Sequence, residues 1–528
     1  MLKNILLYSS FLLLCSLALI LIISNIAFLF NFDINVFNVV IGVFLSLGAV
    51  VYAMKNKNDI IVSIIVASLV LVISYFLATF FYDLSWDGQG YHQDTIYLLK
   101  NGWNPIYEES HAFRSWVNFY QKGNEIIQSN IYVVTDKIES GKMINVLYIY
   151  IAWVTFFAFL STLKIRNIYK WLISFIVICN PVVFTQIFTN YIDANWYLTL
   201  VISASSLLIY FSNRERIWLI VFILSSVIFC SLKLTSIPVF MVVVVFAFSY
   251  HLFFHKEKMI MPFLTIFLLS VICNVHPFLT NVQKGYHILH PFAGAKKSDI
   301  LNQNIPEVLL NKNRVERILV SLFSESSNNR EVTLDKTLKI PFTVTNSQWY
   351  LNYDTRLGGF GFLFSGILVL TLLMAVYYLI IKNDQLNKKK FVFILACLLC
   401  TILINPASWW ARLSPQIWLL PISIIIFGIV SKNKWCEMFS KFSLLLFMIN
   451  LIVPGILTSK ETLLNNMYMH QFVKSVGRKT IILDITNQYG FHQYFVKFEE
   501  NNIKYKVQEI NNKKLETPFA PGQYYEIK

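Results

Sequence analysis

Four titratable residues follow directly on an apolar run that ends at Phe81. Asp83, Asp87, His92 and Asp94 lie within twelve consecutive positions. Carboxylates are costly beside hydrocarbon and are usually kept there because they bind or react. A positioned carboxylate or imidazole can take a proton from a reacting hydroxyl, so Asp87, His92 and Asp94 are candidate catalytic residues.

Aromatic residues and glycines alternate with these acids. Trp86 and Tyr91 flank Asp87 and could hold a sugar ring, while Gly88 and Gly90 allow the backbone to turn tightly. These features favour a substrate site over the alternative, a solvated loop with interfacial aromatic residues.

A second acid, Asp193, lies in the short segment QIFTNYIDANWY. Its surroundings are apolar, and a carboxylate removed from water needs a cation or a hydrogen-bond donor as partner. Asp193 is therefore a candidate catalytic residue, with helix capping as an equal alternative.

Three cations stand at the ends of apolar runs. Lys233 lies in SLKLTS, Arg412 in SWWARLSPQIW, and Arg356 in NYDTRLGG. Arginine offers phosphate a two-pronged fork and lysine a point charge, so all three are candidate phosphate-binding residues. The alternative is that they reach towards lipid head groups.

The composition defines the elements that must position these residues. The chain has 528 residues, of which 56% are apolar and 14% charged, which is too hydrophobic for an ordinary soluble domain. Apolar runs long enough to cross a bilayer recur almost from end to end. We therefore predict an all-α polytopic membrane protein with about thirteen transmembrane helices, at 4–31, 36–54, 60–81, 141–162, 171–187, 195–211, 217–232, 236–254, 259–279, 358–381, 391–406, 413–430 and 442–458.

The net charge of +15 is concentrated in connectors that all fall on one side of these spans. By the positive-inside rule that side is the cytoplasm. The N-terminus is then cytoplasmic and the first run is an uncleaved helix, while the loops 82–140 and 280–357 and the segment after Thr458 are external. The protein is expected in the inner or cell membrane of a bacterium, and the basic charge does not predict nucleic-acid binding.

The chain divides into a membrane domain, 1–458, and a C-terminal domain of 70 residues, 459–528. In the second part TIILDI, YKVQEI and QYYEI read as strands and 490–500 as a short helix. We expect a small external α/β domain that carries no catalytic group.

Three strings of the sequence resemble the GT-C type membrane glycosyltransferases, which include the protein O-mannosyltransferases and the lipid A aminoarabinose transferases. They are WDGQGYHQDTIYLLKNGWNP from Trp86 to Pro105, NYIDANW from Asn190 to Trp196, and WWARLSPQIWLLP from Trp409 to Pro421. The resemblance covers about residues 60–430. Gly88 follows Asp87 where the protein mannosyltransferases have an adjacent Asp-Glu pair, which weighs against a protein acceptor.

The resemblance implies an inverting glycosyltransferase with a polyprenyl-phosphate-linked sugar as donor, and a glycan, a lipid or a protein hydroxyl as acceptor. Asp87 would be the general base, and cations would stabilise the departing lipid phosphate. No cofactor or metal site is predicted with certainty. A divalent cation could be held by Asp87, Asp94 and Asp193 if they converge.

Two other functions fit a basic-inside, polytopic chain, and a purely structural membrane scaffold is a third alternative. An O-antigen polymerase or ligase would centre its chemistry on a late loop, here 280–357. A lipid-linked glycan flippase or other transporter would place charges near mid-membrane and show related halves, which the sequence does not clearly do.

Overall fold

The computed structural model describes residues 2–53, 57–110, 112, 114–254, 259–298, 300–344, 351–381, 385–477, 479–484, 492–508 and 524–527. These residues are mostly helical. The first part of the chain forms α1 (Leu2–Leu29), α2 (Val36–Ala53), α3 (Lys57–Phe80), α4 (Gln93–Lys100), α5 (Gly123–Thr135), α6 (Met143–Ser161), α7 (Asn167–Ile178), α8 (Pro181–Gln186), α9 (Asp193–Asn213), α10 (Arg216–Cys230), α11 (Ser236–Phe254), α12 (Ile260–Cys273) and α13 (Val275–Gln283).

The second part begins with three short helices and ends in a small sheet. It contains α14 (Ile300–Asn304), α15 (Arg314–Leu322), α16 (Leu334–Thr337), α17 (Phe364–Ile380), α18 (Gln385–Ile404), α19 (Leu419–Val430), α20 (Lys434–Val476), β1 (Thr480–Asp484), α21 (His492–Glu500), β2 (Lys504–Val507) and β3 (Tyr524–Ile527). The helical membrane-protein class is thus supported by its long apolar helices.

The predicted number of spans is not confirmed. Each predicted stretch is helical over most of its length, but six helices of the described ranges are long and apolar enough to cross a membrane, or seven if one bent pair counts as a single span. Breaks inside the predicted stretches explain part of the difference between the predicted and the observed number of spans. Proline cannot donate a backbone hydrogen bond, and Asn180 followed by Pro181 ends α7 and caps α8. A bend of 60° separates α12 from α13, with Asn274 between them and His276 in a non-helical conformation just after the break.

The core of the bundle lies around α9, which packs against α6 and α10 and buries Trp196 and Tyr197 completely. Its buried serines and asparagines bond within the bundle; Asn195, for example, donates to Asn145 over 2.7 Å. By contrast α3 is apolar but mainly exposed, with 17% of its most apolar window buried. A long apolar helix that exposes this much surface is typical of contact with lipid.

The predicted strands and short helix of the C-terminal segment are present. The sheet has the order β2-β1-β3, with β1 and β2 parallel and β1 and β3 antiparallel. However, α20 continues through the expected boundary at 458 to Val476, so a continuous helix joins the two parts.

Helix α21 holds the C-terminal segment against the first loop. Lys497 Nζ lies 3.1 Å from a carboxylate oxygen of Glu139 and donates to the carbonyl of Asp83 over 3.2 Å. Glu500 accepts a hydrogen bond of 2.7 Å from the backbone of Ile138. Lys497, Glu139 and Asp83 are all buried, so the segment is packed onto the loop that carries Asp87.

Candidate functional site

Asp83 shapes the loop that carries Asp87. Its fully buried carboxylate accepts hydrogen bonds from the backbone and hydroxyl of Ser85, and from the backbone and side chain of Asn190 at 2.7 and 2.8 Å. A Cβ on Gly88 would lie 2.1 Å from Asp83 Oδ2, so glycine is required there. Asp83 is therefore a structural residue that ties the first loop to the segment preceding α9.

Arg412 is the centre of the candidate site. It lies in a short 3₁₀ turn, Ala411–Leu413, just before α19. Its Nη1 lies 2.8 Å from Asp87 Oδ2 and 3.7 Å from Asp193 Oδ2, and its Nε lies 2.8 Å from Asp354 Oδ1. The guanidinium of Arg412 thus contacts three carboxylates that lie far apart in the sequence.

Aromatic rings enclose this guanidinium. The Cζ of Arg412 lies 4.5 Å from the ring of Trp410 and 5.0 Å from that of Tyr191. Arg412 leaves 15% of its side chain exposed, so the ion pairs form in a largely water-free environment. Charge interactions are stronger there than in water.

Asp193 occupies the first position of α9 and pairs with Lys233. The two side chains approach to 2.8 Å between Oδ1 and Nζ, and Gln186 donates to Oδ2 over 3.4 Å. Lys233 Nζ also lies 4.6 Å from the ring of Trp196. Asp193 is thus held between two cations, Lys233 and Arg412, and the N-cap position of α9 is occupied by Ile192.

Asp354 was missed by the sequence analysis. It comes from the loop before α17, where Arg356 Nη1 lies 3.4 Å from its Oδ2 and the guanidinium of Arg356 lies 4.9 Å from the ring of Trp410. The sequence does contain a signal that could have identified Asp354. It stands two residues before Arg356, a candidate cation, and close to an apolar run, as Asp87 and Asp193 do.

Three carboxylates and three cations balance one another in this site. Burial raises the pKa of Asp354 although Arg412 and Arg356 oppose the rise. Burial alone would lower the pKa of Arg412, but Asp87 and Asp354 raise it well above its usual value. Arg412 therefore stays charged, while Asp354 retains a proton more readily than an exposed aspartate does.

The remaining predicted residues flank this cluster. His92 is buried and its Nδ1 lies 2.5 Å from Glu125 Oε1, so it belongs to a separate buried pair whose acid the sequence analysis did not identify. Tyr91 packs against His92 with ring centres 4.3 Å apart. Asp94 is buried in the first turn of α4. Trp86 is 47% exposed, and the guanidinium of Arg114 lies 5.5 Å from its ring.

The metal hypothesis depended on convergence of the carboxylates. Asp87 and Asp193 do converge, but their partners are cations: both carboxylates lie near Arg412, and Asp193 also pairs with Lys233. Within the described part of the chain, no group of three or more His, Cys, Asp or Glu residues has an arrangement that would hold a metal ion.

An apolar groove of about 640 Å³ lies between α8 and α20. Phe184, Leu451 and Ile456 line it, and Ser459 and Lys460 stand among its lining residues. Gln186, two residues after Phe184, donates to both Asp193 and the carbonyl of Tyr353. Helix α8 therefore contributes Phe184 to the groove and Gln186 to the surroundings of the charged cluster.

Comparison of the sequence with protein-family models and with curated proteins finds no match to either.

The pair formed by Lys233 and Asp193 can be tested by stability. We expect Lys233→Met to lower the free energy of unfolding by about 3–5 kcal/mol, because it leaves a buried carboxylate short of its cation. Lys233→Met combined with Asp193→Asn should recover much of this loss. The matched control is Lys100→Met, which breaks an ion pair with the exposed Asp136 and should cost less than about 1 kcal/mol. Equal losses in the two single variants would contradict a buried pair.

Proposed function

We propose that this protein is an integral membrane glycosyltransferase that transfers a sugar from a polyprenyl-phosphate donor to a hydroxyl of a glycan, lipid or protein on the external face of the membrane. The observation that carries the proposal is the contact of Asp87 with Arg412, each with 15% of its side chain exposed, in a chain that also has an apolar groove between α8 and α20. A carboxylate, a phosphate-binding guanidinium and a channel for a lipid chain are the three elements that such a reaction needs.

In the proposed reaction Asp87 is the general base. It takes the proton of the acceptor hydroxyl while the hydroxyl oxygen forms a bond to the anomeric carbon. The bond from that carbon to the phosphate oxygen breaks at the same time, with inversion, and polyprenyl phosphate leaves with the bonding electron pair. Positive charge from Arg412 and Lys233 stabilises the leaving phosphate.

Arg412 is already paired with carboxylates, and this adds a step to the mechanism. A donor phosphate that binds Nη1 of Arg412 competes with Asp87, which lies 2.8 Å away. Release from the guanidinium frees Oδ2 of Asp87 to accept a hydrogen bond from the acceptor hydroxyl. Donor binding and activation of the base are therefore coupled in this proposal.

The groove supports a lipid-linked donor. Its lining is mainly aliphatic and aromatic, with Ser459 and Lys460 as its polar residues. In this proposal a polyprenyl chain lies along α20 with its phosphate towards the charged cluster, and α8 supports this arrangement because it carries both Phe184 of the groove and Gln186, which donates to Asp193.

A second candidate is an O-antigen polymerase or ligase. The observation that favours it is the contribution of Asp354 and Arg356, both from the loop 280–357, to the cluster. Such an enzyme would use a diphosphate-linked glycan where the first candidate uses a monophosphate-linked sugar.

A panel of lipid-linked sugars tests the proposal. Purified full-length protein is incubated with polyprenyl-monophosphate sugars and, separately, with polyprenyl-diphosphate oligosaccharides. We expect free polyprenyl phosphate from at least one monophosphate donor in the presence of an acceptor. Release of polyprenyl diphosphate alone would favour the polymerase or ligase, and transport of an intact donor without any release would favour a flippase.

A further inference from the structure

A second polar pocket lies apart from the charged cluster, in the segment between α13 and α17. It encloses about 300 Å³, and its lining includes Lys312, Arg314, Arg317, Asn302 and Trp409. Three cations at one small pocket repel one another unless an anion is present. Among the residues that the structure describes, none of these three cations forms an ion pair within 4.0 Å.

The protein uses only part of the hydrogen-bonding capacity of these cations. Arg314 donates from Nη1 to the carbonyl of Leu403, and Arg317 donates from Nε and Nη2 to the carbonyls of Leu309 and Leu310. The guanidinium of each arginine has five N–H donors, so donors remain on both. The carboxylate of the neighbouring Glu316 is engaged in a capping box with Asn313. The pocket is therefore built to receive an oxyanion.

The surroundings of the pocket indicate which oxyanion. Helix α15 buries Ile318 and Ser321 against the protein, and Ser321 donates to the carbonyl of Trp409 over 2.6 Å. Its other face exposes Val315 and Leu319, which are 54% and 51% accessible. A helix with basic residues and an exposed apolar face is typical of one that lies in a membrane surface.

Helix α18, whose Leu403 carbonyl accepts a hydrogen bond from Arg314, also exposes apolar side chains. Leu403, whose carbonyl receives Arg314, is 42% exposed near the end of α18, and Leu399, one turn earlier, is 45% exposed. Thus the pocket stands at the end of an apolar helix that faces outward. The sequence predicts a span at 391–406, and a membrane around that span would place the pocket at the level where lipid phosphate groups lie above hydrocarbon.

We propose that Lys312, Arg314 and Arg317 bind the phosphate of an anionic phospholipid, while Val315 and Leu319 of α15 contact its acyl chains. This lipid is distinct from the sugar donor. Trp409 lines the pocket and stacks on Trp410 at 5.3 Å between ring centres, and Trp410 packs against Arg412. Lipid at this pocket would therefore fix the turn that carries Arg412.

Native mass spectrometry of the full-length protein in detergent tests the proposal, with phosphatidylglycerol and phosphatidylcholine of the same acyl chains as probes. We expect tighter binding of phosphatidylglycerol. Each cation near a membrane surface contributes about fivefold to such binding, so Lys312→Gln should weaken it about fivefold and Lys312→Gln with Arg317→Gln roughly 25-fold. Lys312 makes no side-chain hydrogen bond in the described structure, so its replacement should leave folding intact.

The matched control is Lys296→Gln, an exposed cation of the same segment, which should not change binding. Val315→Ser with Leu319→Ser should weaken the lipid without affecting inorganic phosphate. Equal affinity for the two lipids, or an unchanged affinity in Lys312→Gln, would overturn the proposal. So would binding of inorganic phosphate as tight as that of phosphatidylglycerol. None of these measurements requires glycosyl transfer, so their failure is independent of the proposed function.

Discussion

Asp87→Asn is expected to lower turnover by about two to four orders of magnitude, the usual contribution of a positioned general base. Asparagine has nearly the same volume and its carbonyl oxygen can still accept a hydrogen bond from Arg412. It cannot accept the proton of the acceptor hydroxyl. Activity is measured in isolated membranes with donor and acceptor both saturating, and stability is measured by thermal unfolding, which should change little.

The structure determines which controls suit this experiment. Asp83→Asn is unsuitable, because the buried carboxylate of Asp83 accepts hydrogen bonds from Ser85 and Asn190, and its replacement should disturb the loop itself. Asp136→Asn is a better match, since Asp136 lies on the same loop and its side chain is 85% exposed. Full activity in Asp87→Asn would exclude Asp87 as the base and direct attention to Asp354.

Arg412→Ala is expected to abolish donor use almost completely, by about two to three orders of magnitude. It should also destabilise the protein by about 3–5 kcal/mol, because Asp87 and Asp354 would lose a buried cation. Arg412→Lys restores a charge but not the fork that reaches Asp87 from Nη1 and Asp354 from Nε. We therefore expect the lysine variant to be folded, with a smaller loss of donor use than the alanine variant shows.

Two measurements separate catalysis from folding at this position. Thermal unfolding reports the structural part, and the apparent affinity for the polyprenyl-phosphate sugar reports the binding part. Arg412→Gln combined with Asp354→Asn removes one charge of each sign, so it should recover stability but not activity. The control Arg166→Ala concerns an exposed arginine and should change neither. Wild-type donor affinity in both Arg412→Ala and Arg412→Lys would assign Arg412 a purely structural role.

The candidate site was only partly predictable from the sequence. Asp87, Asp193, Lys233 and Arg412 could be identified because each is a charged residue next to an apolar run, where its presence has a free-energy cost. Their pairing could not, because Asp87 and Arg412 are 325 residues apart and only the packing of the bundle brings them together. Glu125 gave no signal, since it lies among polar residues of the first loop.

The helices were predicted more successfully than their role as spans. Apolar composition places a helix well, but it does not show where a proline or a capping asparagine interrupts it, as at Asn180 and Pro181. Nor does it show where a helix continues through polar sequence. Helix α20 passes Thr458 without a break because its later residues pack against the first loop and against the sheet, contacts that a local pattern cannot reveal.

The length of α20 has a mechanical consequence. Its 43 residues span about 65 Å at 1.5 Å per residue, roughly twice the thickness of the hydrocarbon core. Near its end Asn466 donates to the carbonyl of Phe80 and accepts from the backbone of Tyr82. The helix, which contains Pro454, is thus a strut fixed at the base of the loop that carries Asp87. A force or a partner acting on the C-terminal segment would be transmitted along this strut to that loop, instead of being absorbed by a flexible tether.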